Sequence, residues 1–497
     1  MMRFVLQEPF HNASSRRPDK LAVVGHDRRL SYRQLRDEAL QLAAQLRAAG
    51  ARGENRVAVY MVNSAAAAVA IWAALEAGCV LVPLHAGARK DALSSVVHNA
   101  DPQWIIADSE LSAMFPVLRE ASPNLSKLLV WPVTGNGSAA PAAGNSSDDN
   151  TLAALIYTSG STGEPKGVML SHANMLAAIR AVNAYLQLTE RDIIYSALPL
   201  ASSYGLYQLL LGLTIGATVV LDRSFAFPAR SLALIAAEKA TVFAGVPTMF
   251  AWLAGTTVLS QYDLSPLRLL TSAAAALPPA HAAALRERLP QARLFVMYGQ
   301  TECKRISYLD PDELGRKAGS VGRGMPFQQH RVIDEAGAAV AAGETGELIV
   351  RGPHVMQGYW RNPEATALKL RSHGSGGELW LHTDDLFRVD TEGFLYFVGR
   401  RDDIIKIGGH KVSPTEIENV LCQMPEIAEA AVVGMPDPLW GAAAKAHVVL
   451  KTDKSCTAGD VLRFCSPRLQ GYMVPKAVVF VAALPKTESG KVKKTLL

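Results

Sequence analysis

Strand and helix patterns alternate along the first half of this chain, and that alternation limits the fold more than any other feature. Ser31-Tyr-Arg-Gln-Leu-Arg-Asp-Glu opens an amphipathic helix running toward Ala49, with a hydroxyl at its N-cap. Arg56-Val-Ala-Val-Tyr-Met is a short apolar strand. A helix is predicted from Asn63 to Gly78, and Cys79-Val-Leu-Val-Pro is the next strand. Strands separated by helices pair in parallel, so parallel sheets with helices on both faces are expected.

At 497 residues the chain is too long for one hydrophobic core, and roughly two to four domains or subdomains are expected. Thr134–Asn150 is rich in Gly, Ser, Ala, Pro and Asn and reads as a mobile surface connection. A strand over Leu152–Tyr157 follows, and alternation continues through Phe243. Val321–Gly358 holds more glycine and short strands (His330-Arg-Val-Ile-Asp, Gly346-Glu-Leu-Ile-Val-Arg), which predicts a small β-rich subdomain. Near residue 400 the character changes again. A strand over Phe394–Arg400 leads to Ser413-Pro-Thr-Glu416, a capping box with proline at the first helical position. That helix runs to about Met424, with strands at Ala430–Val433, Ala446–Leu450 and Val478–Val481 and a helix from about Ala458. The expected fold class is α/β. A large N-terminal domain, residues 1–400, combines parallel sheets flanked by helices with the β-rich subdomain. A smaller α/β C-terminal domain occupies residues 401–497.

The loop after the strand at Leu152 carries the first chemical signal. Leu155-Ile-Tyr-Thr-Ser-Gly-Ser-Thr-Gly-Glu-Pro-Lys-Gly-Val168 contains three glycines, four Ser/Thr hydroxyls and Lys166. Glycines let backbone amides approach an anion, hydroxyls donate to phosphate oxygens, and lysine adds a point charge. A phosphate cradle is the natural expectation. It is not a Walker loop, because Gly163 is followed by Glu164-Pro165 and Lys166 by Gly167. Nor does Gly160-Ser-Thr-Gly163 fit a dinucleotide fingerprint. A transport or motor NTPase is thereby disfavoured.

Charge and cysteine usage narrow the classes further. A net charge of +5 suits an anionic small ligand such as a nucleotide, and no dense Lys/Arg run marks nucleic-acid binding. The five cysteines (Cys79, Cys303, Cys422, Cys456, Cys465) form no C-x-x-C pair, so neither a zinc site nor a disulfide framework is expected. The N-terminus lacks a secretory apolar region, and Ala65–Val82 and Leu209–Leu221 read as core rather than as membrane spans. A soluble, cytoplasmic protein is expected.

Four more motifs follow in order. Tyr298-Gly-Gln-Thr-Glu-Cys303 ends the buried run Arg293–Met297, and a carboxylate beside phosphate suits a magnesium ion. Trp380-Leu-His-Thr-Asp-Asp-Leu386 offers a carboxylate able to accept two hydroxyl donors. The third is Gly399-Arg-Arg-Asp-Asp-Ile-Ile-Lys-Ile-Gly-Gly-His-Lys-Val-Ser-Pro414, and the fourth is Pro485-Lys-Thr-Glu-Ser-Gly-Lys491. Supporting segments are Thr271-Ser-Ala-Ala-Ala-Ala-Leu277, Gly322-Arg-Gly-Met-Pro326, Gly346–Gly352 and Gly358-Tyr-Trp-Arg-Asn-Pro363.

Taken in this order, from about residue 10 to the last residues, the motifs resemble the adenylate-forming (acyl-activating) enzymes. Acyl-CoA synthetases, adenylation domains of peptide synthetases and firefly luciferase belong to that group. The resemblance implies that Thr158, Ser159, Gly160, Ser161, Thr162, Gly163 and Lys166 cradle phosphate. It assigns Ala273 and Ala274 to the adenine-side backbone, with Ala273 where glycine is usual, and Tyr298 and Gly299 to the adenine and acyl pockets. Thr301 would contact phosphate and Glu302 would bind Mg2+. Asp385 and Arg400 would meet the ribose, with Asp384 in place of the usual glycine. Asp402 would be the hinge of a mobile C-terminal domain, Lys406 would serve thioester formation, and Lys491 would reach the carboxylate and α-phosphate during adenylation.

The implied reaction joins a carboxylic acid to AMP from ATP, releasing pyrophosphate, and then transfers the acyl group to a pantetheine thiol. Leu198-Pro-Leu-Ala-Ser-Ser-Tyr-Gly-Leu206 is similar to a family stretch reading Pro-Leu-Phe-His-x-x-Gly. Ser202, Ser203, Tyr204, Gly205 and Cys303 are acyl-pocket candidates, and Val246 is a further one. Ser203 lies close to where amino-acid-activating relatives carry an aspartate, and a hydroxyl cannot pair with an α-ammonium as a carboxylate does. A small acid other than an α-amino acid is expected. The hinge segment Ile405-Lys-Ile-Gly-Gly-His-Lys-Val-Ser-Pro414 resembles CoA ligases more than peptide-synthetase domains, and Leu497 follows shortly after Lys491, so a stand-alone ligase with CoA as the favoured acceptor is expected. A separate acyl or peptidyl carrier protein, loaded through its phosphopantetheine arm, is the alternative. A luciferase-like oxygenase and a catalytically impaired nucleotide-binding regulator are the rival classes.

Overall fold

Side-chain alternation in the strand Arg56–Tyr60 shows how the large sheets are buried. Val57 and Val59 belong to the main core, whereas Ala58 and Tyr60 pack on the opposite face with Leu93, Val97 and Leu118. A strand buried on both faces belongs in the middle of a helix-covered parallel sheet. The computed structural model describes residues 5–132, 150–159, 164–374, 377–486 and 492–497. The connection expected over Thr134–Asn150 lies, apart from Asn150, outside them.

Two large sheets carry the N-terminal part. The first has seven described strands, of which Lys127–Trp131, Trp104–Asp108, Arg56–Tyr60, Val80–Leu84 and Leu152–Ser159 run parallel in that order. The second has nine. Its parallel centre comprises Arg293–Tyr298, Leu269–Ser272, Val242–Gly245, Ile193–Ser196, Thr218–Leu221 and Leu21–Val24. Antiparallel strands close both edges of the second sheet and one edge of the first. The two sheets share one continuous core. The helix Ala65–Glu76 lies within it: eleven of its twelve residues are buried, and its run of alanines permits close approach from every side. Ser64 caps its N-terminus through Ala67 N, and Ser31 and Gln34 form a reciprocal capping box on the helix Tyr32–Ala48.

The β-rich subdomain differs in extent from the sequence expectation. Its antiparallel sheet comprises Gln329–Ile333, Thr345–Arg351, Leu379–Val389, Leu370–Ser372 and Leu395–Arg400. It therefore runs on to residue 400, while Gly358–Tyr359 joins the seven-stranded sheet. The longest strand of the subdomain is the acidic segment around Asp384-Asp385, whose composition resembles a turn. Burial of Trp380, Leu381 and Phe387 overrides that local preference.

A second core begins at Ile405 and is built from the hairpin Ile405–Ile407/His410–Val412, the helices Pro414–Leu421 and Ala458–Cys465, and the strands Ile427–Asp437, Gly441–Leu450 and Ala477–Phe480. Only half of the expected capping box forms at Ser413. Its hydroxyl accepts from Glu416 N at 3.3 Å and donates to Val398 O, tying this unit to the subdomain before it. Among the described residues no helix is long and apolar enough to cross a membrane.

Candidate active site

The site is assembled where strands of both large sheets and the β-rich subdomain end. Leu152–Ser159 and Pro165–Ser171 form an antiparallel hairpin, so the glycine-rich loop closes a hairpin rather than opening a helix. Thr158 stands opposite Lys166 in that pair. Gly160, Ser161, Thr162 and Gly163 lie outside the described residues, as does the Ser159 side chain. The segment after the subdomain strand Thr345–Arg351 docks on this hairpin: Trp360 N donates to Gly167 O and Gln357 N to Met169 O. It carries Tyr359, whose ring centroid is 5.6 Å from Lys166 Nζ. The Tyr359 hydroxyl donates to Glu302 Oε1 at 2.7 Å. Lys166 from the seven-stranded sheet and Glu302 from the nine-stranded one therefore meet on a single tyrosine.

Glu302 follows the strand Arg293–Tyr298 through a tight turn. Ile306 N returns to Tyr298 O, and a Cβ on Gly299 would lie 2.5 Å from Lys304 O, so only glycine fits there. Tyr298 and Gln300 both reach Asp385: the Tyr298 hydroxyl donates to Oδ2 at 2.5 Å and Gln300 Nε2 at 2.8 Å. Gln300 Nε2 also donates to Thr383 O at 2.8 Å. Arg400 faces Asp385 on the neighbouring strand, with Nε 3.5 Å from Oδ1. Burial, then the Asp385 charge, raises the Tyr298 hydroxyl well above its ordinary pKa, so it stays a donor.

Asp384 takes the left-handed conformation, φ +57°, in the middle of the strand, which explains why glycine suits this position. Its added charge is matched: Asp384 Oδ2 pairs with Lys369 Nζ at 2.6 Å, and Lys369 also donates to the carbonyls of His382 and Thr383. Asp384 N donates to Glu347 Oε1 at 3.1 Å. Burial pushes the Glu347 carboxyl up, but His382, Asp384 N–H and Arg401 outweigh it and hold it below the ordinary range.

Among the acyl-pocket candidates, Ser203 Oγ lies 3.4 Å from Thr301 Oγ1. Ser202 is the N-cap of the helix Ser203–Thr214, accepting from Gly205 N and donating to Pro199 O. A Cβ on Gly205 would fall 2.1 Å from Pro199 O. Tyr204 Oη is held by Thr271 at 2.8 Å and 2.9 Å. Val246 and Ala273 are buried, and Ala274 has φ +77°, so the glycine-like conformation falls one residue after Ala273. Cys303 is fully buried and its thiol is pushed up to about 12, first by burial, so it is no nucleophile at neutral pH.

Lys166 and Glu302 thus meet on Tyr359, and Tyr298 and Arg400 on Asp385, and the turn from Tyr298 to Glu302 links the two groups through the backbone into one network. Asp402 and Lys406 are exposed at the start of the C-terminal unit, outside that network, and Lys491 lies outside the described residues. Gln300, Tyr359, Glu347 and Lys369 are additions that motif reading did not single out. The donor set suits Mg2+: the Glu302 carboxylate and the Thr301 hydroxyl are hard oxygen donors. Among the described residues no cluster of three His, Cys, Asp or Glu offers a cage for a metal held by protein alone.

Comparison with known proteins identifies the family. The model of the AMP-binding enzyme family matches residues 10–360, and that of the AMP-binding enzyme C-terminal domain matches 416–491. A feruloyl-CoA synthase of Amycolatopsis sp is 36% identical over 483 residues, covering 96% of this chain and 95% of that protein. An indoleacetate–CoA ligase of Aromatoleum aromaticum is 32% identical over 492 residues, covering 96% and 94%. Among solved structures, the anthranilate CoA ligase AuaEII in complex with anthranoyl-AMP superposes with a TM-score of 0.91 at 27% identity, covering 100% of this chain and 97% of that one. ATP-bound MatB from Rhodopseudomonas palustris gives 0.89 at 29%, covering 100% and 98%. With its first family model spanning most of the sequence and relatives aligned nearly end to end, the chain belongs to the AMP-binding enzyme family, the adenylate-forming enzymes.

Proposed function

We propose that this chain is an AMP-forming acid–thiol ligase that activates a carboxylic acid with ATP and passes the acyl group to CoA. The observation that carries this is the convergence of Lys166 and Glu302, from separate sheets, on Tyr359. A cation and a carboxylate so joined suit the polyphosphate of ATP and its magnesium ion. Glu302, with the Thr301 hydroxyl, would hold the magnesium ion, which would offset phosphate charge.

In the first step a carboxylate oxygen attacks the α-phosphorus, and the bond to the β-phosphate oxygen breaks to release pyrophosphate. Two anions must approach each other, so preorganised cations carry much of the catalysis. Lys166 serves the phosphates, Thr301 orients the α-phosphate, and Asp385 with Arg400 holds the ribose. Lys491 supplies the cation at the reacting carboxylate. In the second step the thiol sulfur attacks the acyl carbon, AMP leaves with the bonding electron pair, and the thiol proton passes to solvent. Lys406 serves this half-reaction after residues 401–497 rotate about Asp402, a hinge closure.

CoA is favoured as acceptor by the feruloyl-CoA synthase and indoleacetate–CoA ligase relatives. A carrier-protein thiol is the alternative acceptor. The free cysteines suit a reducing compartment, and the cytoplasm is the proposed location. Pyrophosphate release from a broad panel of carboxylic acids, with and without CoA, tests the proposal. Acid-dependent release followed by CoA-dependent acyl transfer supports it, and no release from any acid overturns it.

A further inference from the structure

Lys304 and Arg305 directly follow the Tyr298–Cys303 motif, and both side chains are inside the protein, 6% and 3% exposed. Adjacent cations in an apolar interior are unfavourable unless a negative group meets them. No carboxylate among the described residues pairs with Lys304. Its Nζ donates to Ser203 O at 3.2 Å and lies 4.9 Å and 4.6 Å from the ring centroids of Tyr204 and Tyr207. The Arg305 guanidinium sits 5.1 Å from the Tyr204 ring, and its Nε is buried with no hydrogen-bond partner.

Both cations line a cavity of about 10 Å³, room for little more than one water, together with Tyr204, Tyr207, Gln208 and Thr271. Ser203 lies between this cavity and Thr301. The Ser203 hydroxyl is 3.4 Å from Thr301 Oγ1 on one side, while its carbonyl takes the Lys304 bond on the other. The unmatched positive charge therefore lies behind the proposed acyl pocket, not beside the phosphates.

We propose that the acid accepted by this chain carries a second carboxylate, remote from the reacting one, which Arg305 and Lys304 receive. This rests on the ligase function proposed above and adds the substrate class. A carboxylate neutralises the buried charge, satisfies the unpartnered Nε, and matches the planar fork of a guanidinium. It is larger than the space present, so its entry requires Tyr204 to shift. The same charge repels an α-ammonium, in keeping with the hydroxyl at Ser203.

The test compares kcat/KM for pyrophosphate release within matched pairs: octanedioic against octanoic acid, and 4-carboxycinnamic against 4-methylcinnamic acid. The native chain is expected to prefer the dicarboxylic member by at least tenfold in one pair. Arg305→Met is expected to lower that ratio at least 30-fold, mainly through KM, with Lys304→Met lowering it less and Arg305→Lys restoring part of it. Preference for the monocarboxylic member in both pairs overturns the inference. So does an unchanged ratio in Arg305→Met. Should that variant fail to fold, the native ratio and Arg305→Lys still decide. Activity on the broad acid panel tests the ligase function separately, so the two conclusions can fail independently.

Discussion

Asp385 and Arg400 face each other across two antiparallel strands, with Arg400 Nε 3.5 Å from Asp385 Oδ1. Tyr298 and Gln300 hold the other carboxylate oxygen, so the group is fixed before any ligand arrives. Preorganisation of this kind lowers the ordering cost of binding. Asp385→Asn keeps the volume and removes the charge. It is expected to raise KM for ATP about tenfold or more, since charge-assisted hydrogen bonds are roughly twice as strong as neutral ones. Steady-state pyrophosphate release over a range of ATP concentrations measures this, and an unchanged KM refutes a nucleotide role.

Tyr359 couples Glu302 to the glycine-rich hairpin. Tyr359→Phe keeps the ring under Lys166 and deletes the hydroxyl. A hydrogen bond to a charged group contributes about 1.5–3 kcal/mol, so kcat/KM is expected to fall roughly 10- to 100-fold. The Mg2+ concentration for half-maximal rate should rise with it. Titrating Mg2+ at saturating ATP checks the second outcome.

Asp384 occupies a left-handed position and is balanced by Lys369. Asp384→Gly relieves the backbone but strands the lysine, so its net effect on stability is expected to be within about 1 kcal/mol. Lys369→Ala leaves the carboxylate unmatched and should be the more harmful single change. Adding Asp384→Gly to it should recover stability. Urea unfolding of the two single variants and the double variant gives the coupling directly.

Glu347 has a folded-state carboxyl held below its ordinary value, with burial opposed by His382, Asp384 N–H and Arg401. Its contribution is fully present above the ordinary carboxylate value and is lost as pH falls through the depressed one. Glu347→Gln should therefore lose stability at neutral pH and flatten the acid limb of the stability curve. Denaturation midpoints between about pH 3 and 7 measure this.

Much of this site is legible along the chain because single loops carry it. Lys166, Glu302 and Asp385 each sit in a compact motif whose chemistry is local. Their partners are not local. Tyr359 lies 57 residues from Glu302, and Gln300 lies 85 from Asp385, so only folding reveals the bonds. The return strand of the signature hairpin is masked for a different reason. Pro165 and Gly167 look like turn residues, yet Gly167 is a strand glycine because a Cβ there would lie 2.9 Å from the Tyr157 ring. Asp384-Asp385 likewise looks like a turn, and only the burial of Trp380, Leu381 and Phe387 around it makes it a strand.

The central claim is best tested by following the nucleotide products of one reaction. Purified chain is incubated with ATP, Mg2+, CoA and a free carboxylic acid that supports pyrophosphate release, and the mixture is resolved by chromatography. The account predicts AMP, pyrophosphate and acyl-CoA in equal amounts, each dependent on the acid. ADP with orthophosphate, or ATP consumption indifferent to the acid, would contradict it.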